Sequence, residues 1–326
     1  MSANRPRDFY FDNAKFILMV LVVVGHFMGL MEGRVISQIH TFIYIFHMPC
    51  FVFITGYFTN PNKEPKILGL AIKFVVFQFI LFTINRYVNG GNISLQFVYP
   101  HIGLWYLLAC LFWRLITPKI INIPNIIIIT LTMGILIGYV PFIGKFLALS
   151  RVFYFLPFFL AGCLAKREHL EKVKACKAIW GYLVLIAVLL AVIFSGRAPS
   201  EIFMAAEPYQ LLKINQGYAF MYRMFTYAAT IITSLAFFVI VPSDKNWYTE
   251  MGSRTLQVYL LHLIVVCIID NYGIGPNFNG CFSKAIFALS GLLLAIVLNT
   301  KPFEILLKPL AVLETYLTNI IENNGD

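Results

Sequence analysis

The sequence predicts an all-α, polytopic membrane protein with about ten transmembrane helices and both termini cytoplasmic. Three observations carry this. Of the 326 residues, 60% are hydrophobic and only 12% are charged, whereas soluble domains run at about a quarter charged. The apolar residues come in long runs, and about 20 such residues span a bilayer's hydrocarbon core. The basic residues sit in the short connectors between runs, as cytoplasmic loops of membrane proteins do. The net charge of +10 therefore forms no basic domain of the kind that binds nucleic acid. The expected surroundings are a lipid bilayer.

Ten apolar segments are placed near 12–30, 37–58, 67–88, 101–117, 123–142, 151–166, 178–195, 220–242, 254–270 and 281–300. The first follows Arg5 and Arg7, as a signal peptide would. Asp12 and Lys15 stand at its start and no small-residue cleavage site follows, so it reads as a retained helix. Segments 101–117, 151–166 and 254–270 are short for a full span. The connectors are marked by Pro, Gly, Asn and charge, as in TNPNKEPK (59–66) and NGGN (89–92).

With the N-terminus inside, the inner connectors hold Arg5, Arg7, Lys63, Lys66, Lys119, Lys166, Arg167, Lys172, Lys174, Lys177, Lys245, Lys301 and Lys308. The outer ones hold Arg34, Lys145, Arg197 and Lys213. This bias sets the orientation. The segment 196–219 is too long for a plain turn and reads as a lid or re-entrant element. The tail 301–326 is amphipathic and reads as a helix on the cytoplasmic membrane surface. No soluble domain is appended, so 1–326 is one membrane domain. The cysteines at 50, 110, 163, 176, 267 and 281 show no CxxC pair and no metal-ligand spacing, so neither a disulfide framework nor a metal is expected.

Ionisable side chains at membrane depth are costly, about 2.5–3.5 kcal/mol each on insertion scales. The candidates are Lys15, His26, His47, Lys73, Arg114, Arg151, Arg223, Arg254, His262 and Lys284. Lys73, Arg114 and Lys284 lie where long basic side chains snorkel to an interface. Lys15 and His26 differ. Eleven residues turn a helix through about 1100°, roughly 20° from three full turns, so the two share a face about 16 Å apart along the axis. Lysine holds an anionic group as a point charge, and histidine transfers protons near neutral pH. The face suits a long anionic ligand whose reactive end reaches His26. The structural alternative is a polar stripe packed between helices. His47 stands two residues before Pro49. A weakened helix there suits a cavity wall, and a core histidine bonded to a backbone carbonyl is the alternative.

These stretches together resemble the acyltransferase-3 family of integral membrane acyltransferases. FDNAKFILMVLVVVGH keeps the Asp, the spacing and the terminal Gly-His of that family's first helix, with Lys15 in place of its arginine. IFHMPCFVFITGYF, LWYLLACLFW, SRVFYFLPFFLAGCL and GSRTLQVYLLHLIVV are similar to further family segments, in order. The branch it looks most like is the fucose-4-O-acetylase-like sugar acetyltransferases.

The resemblance implies acetyl-CoA as acyl donor, with no metal, and a hydroxyl of an envelope glycan as acceptor, in a bacterial cytoplasmic membrane. It implies His26 as general base and Lys15 as holder of the donor. Asp12, on the same face, orients Lys15. His47, Trp105, Arg151, Arg254 and His262 lie in the matching segments as substrate-binding candidates, Arg254 toward CoA phosphate and Arg151 toward the sugar. Whether the acyl group passes directly to the hydroxyl or through a covalent intermediate is left open, as is a homo-oligomer. There is no G-x-S-x-G elbow to supply a serine nucleophile.

Two other classes compete. A proton-coupled transporter or flippase also uses intramembrane histidines and lysines, but such folds often show repeated halves and paired broken helices, and neither is visible here. A non-catalytic scaffold leaves the Lys15–His26 face without a purpose.

Overall fold

The computed structural model describes residues 8–90, 96–196 and 200–323. Arg5, Arg7, Arg197, the Gly91–Asn92 half of the NGGN connector and the last three residues lie outside this range. The described chain is helical throughout. Its α-helices are α1 Phe9–Gly29, α2 Arg34–Tyr57, α3 Leu68–Val88, α4 Trp105–Ile120, α5 Ile126–Leu136, α6 Leu149–Leu164 and α7 Arg167–Lys174. They continue as α8 Ala178–Phe194, α9 Glu201–Met204, α10 Ala219–Ile240, α11 Thr255–Asn271, α12 Cys281–Leu298, α13 Lys301–Ile305 and α14 Lys308–Asn323.

Each of the ten apolar segments contains a helix, but not each helix is a span by itself. Seven helices are long and apolar enough to cross a membrane, and eight if the α7–α8 pair, bent by 82°, counts as one. The shortfall lies in α4 and α5. At about 1.5 Å per residue, the 16 residues of α4 cannot cover a hydrocarbon core of about 30 Å. The 11 residues of α5 cover less still. Both are held inside the bundle by their neighbours. The Trp113 indole on α4 donates to the Val152 carbonyl at 2.9 Å, and Gly134 of α5 abuts the Tyr227 hydroxyl.

The tightest helix crossing joins α2 and α6. A Cβ on Gly56 would overlap the Phe159 carbonyl oxygen, and one on Gly162 would overlap the Phe53 carbonyl oxygen. Two glycines facing each other's backbone let the helices touch, the usual device where lipid offers no hydrophobic drive between helices. Through Pro49, α2 continues unbroken. The proline removes only the amide that would meet the Ile45 carbonyl, so no break opens at His47.

The first turns of α1 are clamped by the far end of the chain. Asn13 is fully buried. Its amide donates to the carbonyls of Pro242 and Asp244 at 2.8 and 2.9 Å, and its carbonyl accepts from the Thr249 hydroxyl at 2.7 Å. Gly252, in the GSR turn before α11, packs on the Asp12 backbone. Asn13→Ala strands buried partners and is expected to lower stability by about 1–3 kcal/mol, measured as a lower melting temperature in detergent.

The tail lies on the face of the bundle where α1 and α3 begin. Glu314 on α14 pairs with Lys73 at 2.9 Å. Val312, Leu313, Tyr316 and Ile320 of α14 are exposed, an apolar stripe of the kind that lies on a membrane surface. Of the three residues expected to snorkel, Lys73 thus has a specific partner, and Arg114 donates to the Lys66 carbonyl at 3.0 Å. The long connector before α10 is a short helix and a turn folded back on the bundle. The Tyr209 amide donates to the Gly138 carbonyl at 2.8 Å, and its hydroxyl donates to the Ile135 carbonyl at 2.7 Å.

Candidate active site

The Lys15–His26 face of α1 lines a single cavity of about 160 Å³. Lys15 stands at one end. Met19 and Val22 follow along α1, and His26 closes the other end. The opposite walls are Met48, Phe51, Ile54 and Thr55 of α2, the Gly103–Tyr106 turn into α4, and Thr255, Leu256 and Tyr259 of α11. The middle is apolar and the ends are polar. This follows from three-turn spacing: positions 15, 19, 22 and 26 fall on one helical stripe.

At the Lys15 end, the ammonium meets the Asp12 carboxylate at 2.8 Å and sits 5.8 Å from the Phe58 ring centroid. An ammonium has three donors, so the Asp12 pair leaves others for a ligand. Asp12 is buried and Lys15 is half-buried.

At the other end, the His26 and His262 rings lie 5.3 Å apart by centroid. His262 is fully buried. Its Nδ1 is 2.9 Å from the Val258 carbonyl. A carbonyl only accepts, so Nδ1 carries the proton and Nε2 is a lone pair. That Nε2 is buried with no hydrogen-bond partner. The Tyr259 hydroxyl, one turn earlier, donates to the Gly103 carbonyl at 2.6 Å, which fixes the turn beside His26.

A second cavity, of about 590 Å³, opens on the face of the bundle where α1 ends. It is lined by Gln96, Tyr99, His101, Trp105, Lys145 and Arg151 among others. Trp105 lines both cavities. The Arg151 guanidinium lies 4.9 Å from the Trp105 ring centroid, and its Nε donates to the Met204 carbonyl at 3.1 Å. His101 sits in the connector before α4, where burial holds its pKa below the ordinary histidine value.

The structure therefore brings together Asp12, Lys15, His26, Trp105 and His262, with Arg151 on the far side of Trp105. It does not bring His47 or Arg254 to either cavity. His47 is buried with Nδ1 bonded to the Ile43 carbonyl at 2.8 Å and its ring against Tyr44. The unbroken α2 presents Met48 and Phe51 to the cavity instead. Arg254 donates to the Asn299 carbonyl at 3.1 Å, where a cation stabilises the C-terminal end of α12. Neither residue lines the cavities among which the other substrate-binding candidates stand.

Sequence reading missed Tyr106, whose hydroxyl meets that of Thr55, as well as Tyr259 and Asn13. Each is a polar side chain inside an apolar run, but tyrosine and threonine are too common there to single out. Among the described residues, no group of three His, Cys, Asp or Glu side chains is placed to hold a metal ion.

The site is thus a half-buried histidine at the end of one cavity, with Trp105 between that cavity and a second, inside a helical membrane bundle. A family model described as an acyltransferase domain, Acyl_transf_3, matches residues 8–300, and the chain belongs to this acyltransferase-3 family. It is a membrane acyltransferase. No curated protein and no solved structure matches the chain.

Proposed function

We propose that the protein moves an acetyl group from acetyl-CoA to a hydroxyl of a cell-envelope glycan, in the manner of a sugar O-acetyltransferase of a bacterial cytoplasmic membrane. The observation that carries this reading is the one cavity spanned by Lys15 and His26, whose wall at Trp105 is shared with a second, larger cavity. The donor enters at the Lys15 end, taken as cytoplasmic. Its phosphates meet the ammonium, and its pantetheine arm lies along Met19, Val22, Phe51 and Ile54. At about 160 Å³ the cavity holds an extended chain and leaves the nucleotide outside. The acceptor enters through the larger cavity.

His26 takes the proton from the acceptor hydroxyl as its oxygen attacks the thioester carbonyl. A new C–O ester bond forms, the C–S bond breaks, and the thiolate of CoA leaves and recovers the proton from His26. A hydroxyl is a poor nucleophile until a base takes its proton, which is why a base here is worth about 10²–10⁴ in rate. His262 keeps an unprotonated, unpartnered Nε2 beside the His26 ring, so it serves as a positioning residue that accepts from that ring as it gains the proton. Direct transfer needs no second nucleophile.

Purified protein in liposomes, supplied with radiolabelled acetyl-CoA and envelope glycan, tests the reading. Label transferred to glycan in ester linkage supports it. Movement of sugar across the bilayer with no ester formed would put the transporter reading in its place. Within the transferase reading, Lys15→Ala is expected to raise the KM for acetyl-CoA about tenfold or more with a smaller change in kcat, since it removes binding rather than chemistry. Lys15→Arg keeps the charge and is expected to recover most of the affinity.

A further inference from the structure

Arg151 stands apart from the other cations that line the two cavities. Lys15 is paired with Asp12. Lys145 is paired with Glu207 at 2.7 Å. Arg151 has no carboxylate within ion-pair distance among the described residues. Only its Nε is bonded, to the Met204 carbonyl, and its flat face rests on Trp105. Among the described residues its terminal amino groups make no hydrogen bond, and the residue lines the larger cavity.

Arg223 shows what a purely structural arginine looks like in this bundle. It is 1% exposed, lies between the Tyr154 and Tyr209 rings, and donates to the Tyr209 hydroxyl and the Ile202 carbonyl. It lines none of the cavities described. Arg151 is likewise held by its Nε and its ring face, but where Arg223 leaves one terminal nitrogen buried without a partner, Arg151 lines a cavity.

A guanidinium kept uncompensated inside a membrane protein is costly. The fork geometry of its free edge matches two oxygens of a carboxylate or phosphate. Beside it, the exposed Tyr99 ring offers an aromatic face, and Gln96 and His101 add polar groups. Burial disfavours the His101 cation, and the Glu207 carboxylate that pairs with Lys145 also acts on Arg151, so two cations and one carboxylate leave the cavity net positive. A volume of about 590 Å³ is in the range of small-molecule sites, roughly 300–1,000 Å³, and takes one or two sugar rings.

We infer that the larger cavity selects an acidic glycan, with Arg151 binding a carboxylate or phosphate on the acceptor while Tyr99 holds a ring. This rests on the reading of that cavity as the acceptor site. It goes further in naming the acceptor's charge. The anion would come from a uronic acid or from a sugar phosphate, since either offers the paired oxygens that the fork requires.

The test measures binding without acyl donor, on the full-length protein in nanodiscs. The probes are methyl β-glucuronide, glucose 1-phosphate and methyl β-glucoside. At least one of the two anionic probes is expected to bind tenfold or more tighter than the glucoside, and which one identifies the source of the anion. Arg151→Gln is expected to bring that ratio to near one by a larger loss for the anionic probe than for the glucoside. Arg151→Lys, which keeps the charge without the fork, is expected to keep part of the preference and guards against misfolding of the first variant.

Equal affinity for all three probes, binding of none, or an equal loss of all three in Arg151→Gln would overturn the inference. The acetyl-transfer assay is separate. Ester formation on a neutral glycan, unaffected by Arg151→Gln, would leave the acyltransferase reading standing and remove this one. Selective binding of an anionic probe without any acetyl-CoA-dependent transfer would do the reverse.

Discussion

His26→Ala is expected to lower acyl transfer by a factor of about 10²–10⁴, the range for removing a general base, at unchanged membrane abundance, if His26 acts as proposed. The measurement is ester-linked acetyl on the surface glycan of cells carrying either form, with abundance checked by immunoblot. The residue is half-buried at the end of the donor cavity and makes no hydrogen bond that holds helices together, so its loss should spare the fold. Donor affinity should also survive, because Lys15 stands about 16 Å away along the helix.

His262→Leu removes the buried lone pair beside it and is expected to lower kcat and displace the pH–rate profile. His262→Gln supplies a carbonyl acceptor and recovers part of the rate. A purely structural role for His262 would lower abundance and leave the profile in place. Full activity in His26→Ala would sink the proposed mechanism.

Gly162→Leu abolishes the tight α2–α6 crossing. The Phe53 carbonyl already occupies the space a Cβ would need, and the reciprocal contact of Gly56 with Phe159 prevents α2 from sliding aside. Overpacking costs about 1–3 kcal/mol in adaptable cores, occasionally more. Here the obstacle is backbone on both sides, so the upper end is expected. The same crossing aligns Met48, Phe51 and Thr55 with the donor cavity and Arg151 with the larger one. Abundance and activity should therefore fall together, and a detergent melt should show the lower stability. Gly162→Ala, three carbons smaller than leucine, should fall between. A leucine variant with wild-type melting would mean that α2 and α6 do not touch as described.

The difference between these two substitutions shows which parts of the molecule were readable from the chain. The Lys15–His26 face needed only helical period and an apolar run, and Asp12 needed only its three-residue offset. Those are local geometry, and each residue lies where the period puts it. The Gly56–Gly162 contact joins residues more than a hundred positions apart, and nothing local marks either glycine among the 21 in the chain. His47 and Arg254 were singled out for chemistry because ionisable groups are costly in a membrane. That argument requires a partner but does not say which. The Ile43 carbonyl, one turn away, satisfied the first, and the end of α12 satisfied the second.

Composition and period alone thus determined a helical membrane protein, its apolar segments, and one helix face with a cation and a histidine three turns apart. Both properties are summed over many residues or repeated at fixed spacing, so single side chains cannot reverse them. Tertiary structure alone decided that α4 and α5 are too short to span unaided, that Trp105 lies on two cavities, that the His262 ring stands beside His26, and that Arg151 lines the larger cavity. Each of these depends on which distant segments pack together, and a side chain's partner in a bundle is set by the helix opposite it.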